Sequence, residues 1–370
     1  MKRIRISVGL LLLALTACGP TQTQPGTVTY DPNAKAARSA PEALFSSLEI
    51  IPLTAPEEVV IDTESDVLRD DSCFYVIDAL HRKRIDIFDR RGRHIGAINA
   101  SGRSGSEYLD INRVQLVDSL VAVYSYHNRA LYYYDRSGAF VGKDTLQYAP
   151  IDLLKLRDGY WGYAGNSGEI PSRVVRMDAG GRIVGELLPA AKVIPMQEKS
   201  SVFIPCGTDL ILRENLRRDI LRIDSAGTVH PFLTLDFGRY NVPDAYFESE
   251  DPMAAATGLM QSDFASLDRL FLNGAFTVLT VDFQTNGSGG EPFGSLGVCH
   301  GERWRWLRAG NREPQALFFT AARALTPDSE LLLITDTERL AALKRVCPEL
   351  VPDLETDTDN TCIVLCHLKD

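Results

Sequence analysis

The 370-residue chain is poor in the residues that catalytic and metal centres draw on. It has six histidines and three tryptophans, no Cys-x-x-Cys spacing and no complete Gly-x-Ser-x-Gly. The two near misses, Gly102-Arg103-Ser104-Gly105-Ser106 and Gly165-Asn166-Ser167-Gly168-Glu169, fail at the last position. A nucleophile elbow also needs a strand-to-helix turn in an α/β sheet, and helical patterning is nearly absent. Basic charge is short: 39 Lys and Arg face 49 Asp and Glu, a net charge of −10, and Arg82-Lys83-Arg84 is the only compact basic run in the body. That balance excludes a nucleic-acid binder, which needs a basic patch to meet phosphates. No stretch approaches eighteen continuous apolar residues, so no finished membrane span is encoded.

What is present begins with residues 1–18, MKRIRISVGLLLLALTAC. Lys2, Arg3 and Arg5 precede a short apolar run, Ile6 to Leu15, and then Leu15-Thr16-Ala17-Cys18. This tetrapeptide resembles the lipobox of bacterial lipoproteins. The resemblance implies cleavage before Cys18 and acylation of its thiol and new amine, and several acyl chains anchor far more firmly than one. Residues 19–43, rich in Thr, Pro, Gln and Ala, carry few large apolar side chains and read as a flexible tether. The expected organisation is a signal peptide over 1–17, a tether over 18–43 starting at lipidated Cys18, and one domain over 44–370. No acidic residue lies in 19–22 to signal surface export. The expected location is a periplasm-facing outer-membrane lipoprotein, with surface exposure open.

The domain is built on a repeat. Four short β runs end in Asp-x-x-Gly, with the Asp at 89, 135, 178 and 224, at spacings of 46, 43 and 46. Asp bonds its own downstream backbone and Gly takes positive φ, so each copy reads as a hairpin turn. A calcium role is the alternative for these Asp residues, but a calcium loop needs alternating oxygen ligands over about a dozen residues. Further strand patterns flank each copy: Phe74 to Asp78 before the first, for example, and His94 to Ile98 after it. Four strands in roughly 45 residues make a propeller blade. Residues 269–283 give a strand pair with Asp282 in the role of the repeated Asp, and 316–320 with 330–335 give another. Thr337 to Val346 reads as a helix capped by Thr337, with Leu340 and Leu343 on one face. The expected fold is all-β, a six-bladed β-propeller with four-stranded antiparallel blades. The strand Leu44 to Ile51 and the strand Thr361 to Leu368 pair in the last blade to close the ring, because an open blade leaves unpaired edges.

The chain resembles the six-bladed β-propeller lipoproteins common in Bacteroides and its relatives, distant cousins of NHL-repeat propellers. The residues that carry the likeness are Leu48-Glu49-Ile50-Ile51-Pro52-Leu53, the first full blade over Phe74 to Gly92, and the loop Gly102 to Tyr108. Leu235-Asp236-Phe237-Gly238 with Val242-Pro243-Asp244, and the closing Thr361 to Lys369, complete it. The resemblance implies the fold and an envelope location, and it implies no general activity.

The candidate binding residues lie where a propeller mouth forms, on the loops joining blades and the hairpins between second and third strands. His81 and His127 each stand eight residues before their repeat Asp, at matched positions. Two imidazoles could join a metal site, but the third and fourth repeats carry Ile170 and Leu216 there and no third ligand is obvious. No metal or other cofactor is expected. Nor do His94, His230, His300 and His367 show ligand spacing. Arg103, Glu107 and Tyr108 sit in the loop between blades one and two. Arg103 could hold an anion and Tyr108 could stack on a sugar or base. Alternatively, Glu107 holds the loop backbone and Tyr108 packs between blades. Residues 286–290, NGSGG, read as a flexible loop without the Lys of a phosphate-binding motif. Trp304 and Trp306 share one strand face, either as core packing or as an exposed aromatic platform.

Beyond Cys18 six cysteines remain, and an oxidising compartment permits a disulfide from Cys347 to Cys362 or Cys366. Taken together, the sequence points to a lipid-anchored binding or scaffolding module for a glycan, peptide or envelope protein, with no catalysis expected. The alternatives are a metal-dependent, lactonase-like propeller hydrolase or lyase, and an accessory subunit of an outer-membrane uptake complex.

Overall fold

The four Asp-x-x-Gly signatures form one turn repeated four times. The Asp89 carboxylate accepts from the backbone N–H of Arg91 and Arg93 at 2.9 and 3.0 Å, and Gly92 takes φ +78°. Asp135, Asp178 and Asp224 accept from the corresponding N–H groups two and four residues on. Each carboxylate thus serves its own turn. Glycine is required for a second reason at Gly92, where an added Cβ would lie 2.1 Å from the Pro52 carbonyl oxygen of the neighbouring blade.

A computed structural model describes residues 26–34, 38–165, 169–190, 192, 201–353 and 361–370. The chain opens with β1 (Gly26–Thr29), α1 (Pro41–Leu44) and β2 (Phe45–Pro52). Blade 1 follows with β3 (Asp66–Arg69), β4 (Cys73–Asp78), β5 (Arg84–Asp89) and β6 (His94–Ile98). Blade 2 is β7 (Arg113–Val117), β8 (Leu120–Ser125), β9 (Ala130–Tyr134) and β10 (Phe140–Thr145). Blade 3 is β11 (Asp152–Leu156), β12 (Gly159–Tyr163), β13 (Ser172–Met177) and β14 (Ile183–Pro189). Blade 4 is β15 (Phe203–Cys206), β16 (Asp209–Leu212), β17 (Asp219–Ile223) and β18 (Val229–Asp236). The short helices α2 (Asp244–Phe247) and α3 (Pro252–Met260) lead to blade 5, which is β19 (Asp263–Leu272), β20 (Phe276–Thr285), β21 (Phe293–His300) and β22 (Arg303–Gly310). Helix α4 (Leu317–Thr320) precedes β23 (Ala322–Leu325) and β24 (Glu330–Asp336), and α5 (Thr337–Val346) precedes β25 (Thr361–Leu368). The result is an all-β, six-bladed propeller of antiparallel four-stranded sheets, with β1 added to blade 4 as a fifth, parallel strand.

The ring closes through the chain's own ends. β2 pairs antiparallel with β25 from Phe45↔Leu368 to Pro52↔Cys362, and blade 6 reads β2-β25-β24-β23. The core lies between blades, where alternate strand residues pack face to face. Tyr75, Ile87, Val121, Val123 and Tyr132, for instance, form one cluster between blades 1 and 2. Such inter-sheet packing is the dominant stabilising term, at roughly 25 cal/mol per Å² of apolar area buried.

Several expectations are corrected. Residues 26–34 belong to the fold instead of a free tether: β1 is paired and Tyr30 is 1% exposed. Asp282 stands mid-strand in β20, opposite Ser266 and Gly294, because blade 5 has ten-residue strands that carry its hairpins further along the chain. Residues 317–320 are helical, and the partner of β24 is β23. The cap of α5 is Asp336, whose carboxylate accepts from the Arg339 N–H, one residue before the expected Thr337. The 286–290 loop is held, since the Ser288 N–H donates to Asp263 at 2.9 Å. Cys347, Cys362 and Cys366 form no disulfide. They line one apolar cluster as small buried groups, and burial pushes the Cys347 and Cys362 thiols up to about 11.

Candidate functional site

Antiparallel alternation sorts the loops onto two faces. The connections between blades and the second-to-third-strand hairpins lie on the mouth face, and the remaining hairpins lie opposite. The inner strands β3, β7, β11, β15, β19 and β23 surround the axis, and arginines bridge their mouth ends. Arg113 of blade 2 donates to Asp152 of blade 3 at 2.8 Å and reaches on to the Phe203 carbonyl of blade 4 at 3.0 Å. Asp152 in turn accepts from the Val202 N–H at 2.9 Å. Across the axis, Arg269 of blade 5 reaches past blade 6 to Asp66 of blade 1 at 2.8 Å. Arg323 of blade 6 donates to the Ser65 and Thr63 carbonyls at 2.8 and 3.0 Å. Burial and the neighbouring Arg269 push the Arg323 guanidinium down to about 10. Burial also works against the charge on Arg269, yet the Asp66 and Asp268 carboxylates outweigh it and its pKa is raised. The mouth end of the channel is thus crossed by paired arginines.

Around this centre, the hairpin tips of blades 1 and 2 carry one constellation twice. Leu80-His81-Arg82-Lys83 and Tyr126-His127-Asn128-Arg129 occupy matched tips. His81 and His127 are both exposed, each with a carboxylate from the connection leading into its blade: His81 Nδ1 to Asp62 at 3.4 Å and His127 Nδ1 to Asp110 at 2.8 Å. Lys83 and Arg129 both adopt positive φ, +53° and +51°, which non-glycine residues seldom take. Leu80 is 77% exposed and Tyr126 39%. The sequence showed the paired histidines, but not the partner carboxylates, which come from loops about twenty residues upstream.

The other three expected mouth residues do not join this pair. Tyr108 is fully buried, its hydroxyl donates to the Lys83 carbonyl at 2.9 Å, and its ring meets Tyr132 and Tyr134 edge-on. Burial pushes its phenol up to about 12. Glu107 folds back to accept from the Ser104 N–H at 2.8 Å, and it fills the space where a side chain at Gly102 would stand. Both therefore build the loop, and of these three residues only Arg103 is exposed. Trp306 is buried, stacked on Tyr30 at 4.1 Å and on Trp304 at 5.4 Å, so this pair is packing and not a platform. Among the described residues, no group of three or more His, Cys, Asp or Glu is placed to hold a metal. Cys18 lies outside the described residues.

A six-bladed, all-β propeller with an arginine-bridged axis is the class this architecture defines. Within it, the chain belongs to the family described as "Domain of unknown function (DUF4934)", whose profile matches residues 32–289. It is similar to a solved Bacteroides fragilis structure named "Putative exported protein", with 13% identity, 93% of this chain and 99% of that chain covered, and a TM-score of 0.71. It is also similar to a member of the DUF4221 family from Bacteroides vulgatus, with 8% identity, 88% and 97% covered, and a TM-score of 0.54. At those identities the likeness is one of fold. No curated protein sequence matches the chain.

Proposed function

We propose that this protein is a lipid-anchored module of the bacterial cell envelope, and that it binds an envelope protein through the mouth-face tips of blades 1 and 2. The observation that carries the reading is the duplicated tip. A large apolar side chain, Leu80 or Tyr126, stands exposed beside a His held by a carboxylate. Aromatic and apolar anchors rimmed by polar groups are what protein interfaces use. The channel mouth itself is bridged by Arg113, Arg269 and Arg323, so the tips offer more open surface than the axis does. Anchoring rests on the Leu15-Thr16-Ala17-Cys18 signature. The export named for the Bacteroides fragilis relative is consistent with an envelope location.

Two measurements test this. A photo-crosslinking residue placed at Leu80 or Tyr126 in cells should give a discrete adduct, and one placed at Ser137 on the opposite face should not. Equal labelling at all three sites, or none, overturns the binding assignment. Cys18→Ser should move the protein from the membrane to the soluble fraction and abolish labelling by a fatty-acid probe. Unchanged fractionation removes the anchor.

A further inference from the structure

We infer that the protein hangs from its anchor by the rim of blade 4, which places the tips of blades 1 and 2 on the far side of the ring. This rests on the lipidated Cys18 proposed above. The described residues ahead of β2, 26–34 and 38–44, run as a strap along the outside of the ring. β1 pairs in parallel with the outer strand of blade 4, from Gly26↔Leu233 to Thr29↔Asp236, and the Tyr30 N–H continues the ladder to the Asp236 carbonyl at 2.9 Å. Tyr30 then pins the strap to blade 5. It stacks on Trp306 at 4.1 Å, meets Phe237 and Phe283 edge-on, and its hydroxyl shares a 3.1 Å hydrogen bond with Ser295. Further along, the Ser39 N–H donates to the Trp306 carbonyl at 2.6 Å, and α1 delivers the chain into β2, the outer strand of blade 6. The strap therefore touches blades 4, 5 and 6 in turn.

A pull on the N-terminal side of Gly26 is consequently delivered to blade 4 and not to the seam in blade 6. At about 3.5 Å per residue, the chain from Cys18 to Gly26 reaches at most about 28 Å. Blade 4 stays within that reach of the leaflet. Blade 1 is three places away in a ring of six, which is directly across the axis. The recognition tips are thereby held toward the aqueous side, clear of the lipid headgroups.

The test uses the full lipidated protein in a Cys206→Ser background. A fluorophore is attached through Ala226→Cys on blade 4 or Arg91→Cys on blade 1, which are matched positions in the repeated turn. The protein is placed in phosphatidylethanolamine–phosphatidylglycerol vesicles carrying a nitroxide-headgroup lipid. Quenching at position 226 should exceed quenching at position 91 by about two-fold or more, given the limited reach of the leash. Equal or reversed quenching in protein whose Cys18 is acylated by mass spectrometry overturns this inference alone. An unmodified Cys18 overturns the anchor on which it rests. Inserting a long Gly-Ser segment after Gly19 should erase the difference, and a difference that survives the insertion overturns the strap as its cause.

Discussion

The two faces of the disc are made by the same strands yet differ in kind. On the turn face the chain reverses in short tips such as Asp118-Ser119 and Gly301-Glu302, built from small and acidic residues. On the mouth face it runs through longer connections such as 53–65 and 99–112. Exposed large apolar side chains follow the same division. Val60, Leu80, Tyr126, Ile151, Met253, Met260 and Val346 lie on mouth-side segments, and Ile95, Phe140, Val141 and Val184 lie on outer strands. Among the described residues none lies on a turn-face tip. The turn face is where the chain satisfies itself, with the carboxylates of Asp89, Asp135, Asp178 and Asp224 and the glycines beside them committed to local turns. The mouth face keeps large apolar side chains exposed, the surface that the proposed partner would use.

The largest expected effect is under the mouth. Arg113→Ala leaves Asp152, which is 9% exposed, without its cation, and should cost about 3–5 kcal/mol by denaturant unfolding. A loss below about 1 kcal/mol would show that the bridges across the channel are incidental. Tyr108→Ala should cost about 3–4 kcal/mol through the cavity it leaves, whereas Tyr126→Ala should stay within about 0.5 kcal/mol and lose the crosslinked partner instead. Similar costs for the two tyrosines would erase the distinction between structural and presented residues. On the turn face, Gly92→Ala combines positive φ with contact on the Pro52 carbonyl and should cost about 2–4 kcal/mol. Leu80→Ala on the mouth should be neutral in the same assay.

The smallest effect is acid sensitivity. Hydrogen bonds from the Arg93, Arg182 and Thr228 backbones hold Asp89, Asp178 and Asp224 below the usual carboxylate range, and the Ser137 hydroxyl does the same for Asp135. A folded pKa lower than the unfolded one adds stability that is fully present above about pH 4 and is lost as pH falls through the folded value. Asp135→Asn, which keeps the turn, should therefore flatten the fall in stability below about pH 4. An unchanged slope in urea midpoints against pH would place the acid sensitivity elsewhere.

The fold was legible because Asp-x-x-Gly punctuates four blades at nearly constant spacing, and that signal needs no partner. The ring closure was legible because two apolar runs had nowhere else to pair. What stayed hidden depended on distant residues. Gly26–Thr29 is a four-residue strand in a Thr- and Pro-rich stretch, and only β18, about two hundred residues away, makes it a strand. Asp282 fell mid-strand because blade 5 lengthens its strands and shifts the phase of the repeat. The arginine bridges join residues far apart in sequence, and Arg113 and Arg269 each also reach past a neighbouring blade, a relation that no local window contains. At the site, the matched histidines were visible as spacing. Tyr108 and Glu107 take the structural one of the two roles open to them, packing and loop-holding, and the choice was hidden because a loop residue's burial is decided by the blade packed against it.

The seam in blade 6 carries a consequence for biogenesis. The Ser46 hydroxyl meets the His367 carbonyl across 321 positions, and the Lys369 N–H and ammonium reach the Leu44 and Glu42 carbonyls. A ribosome delivers β2 well before β25, so the earlier strand waits with its edge open until β25 arrives. The circle can shut only once β25 has been made. A shortened chain lacking Thr361 to Leu368 would leave that edge exposed to other nascent polypeptides.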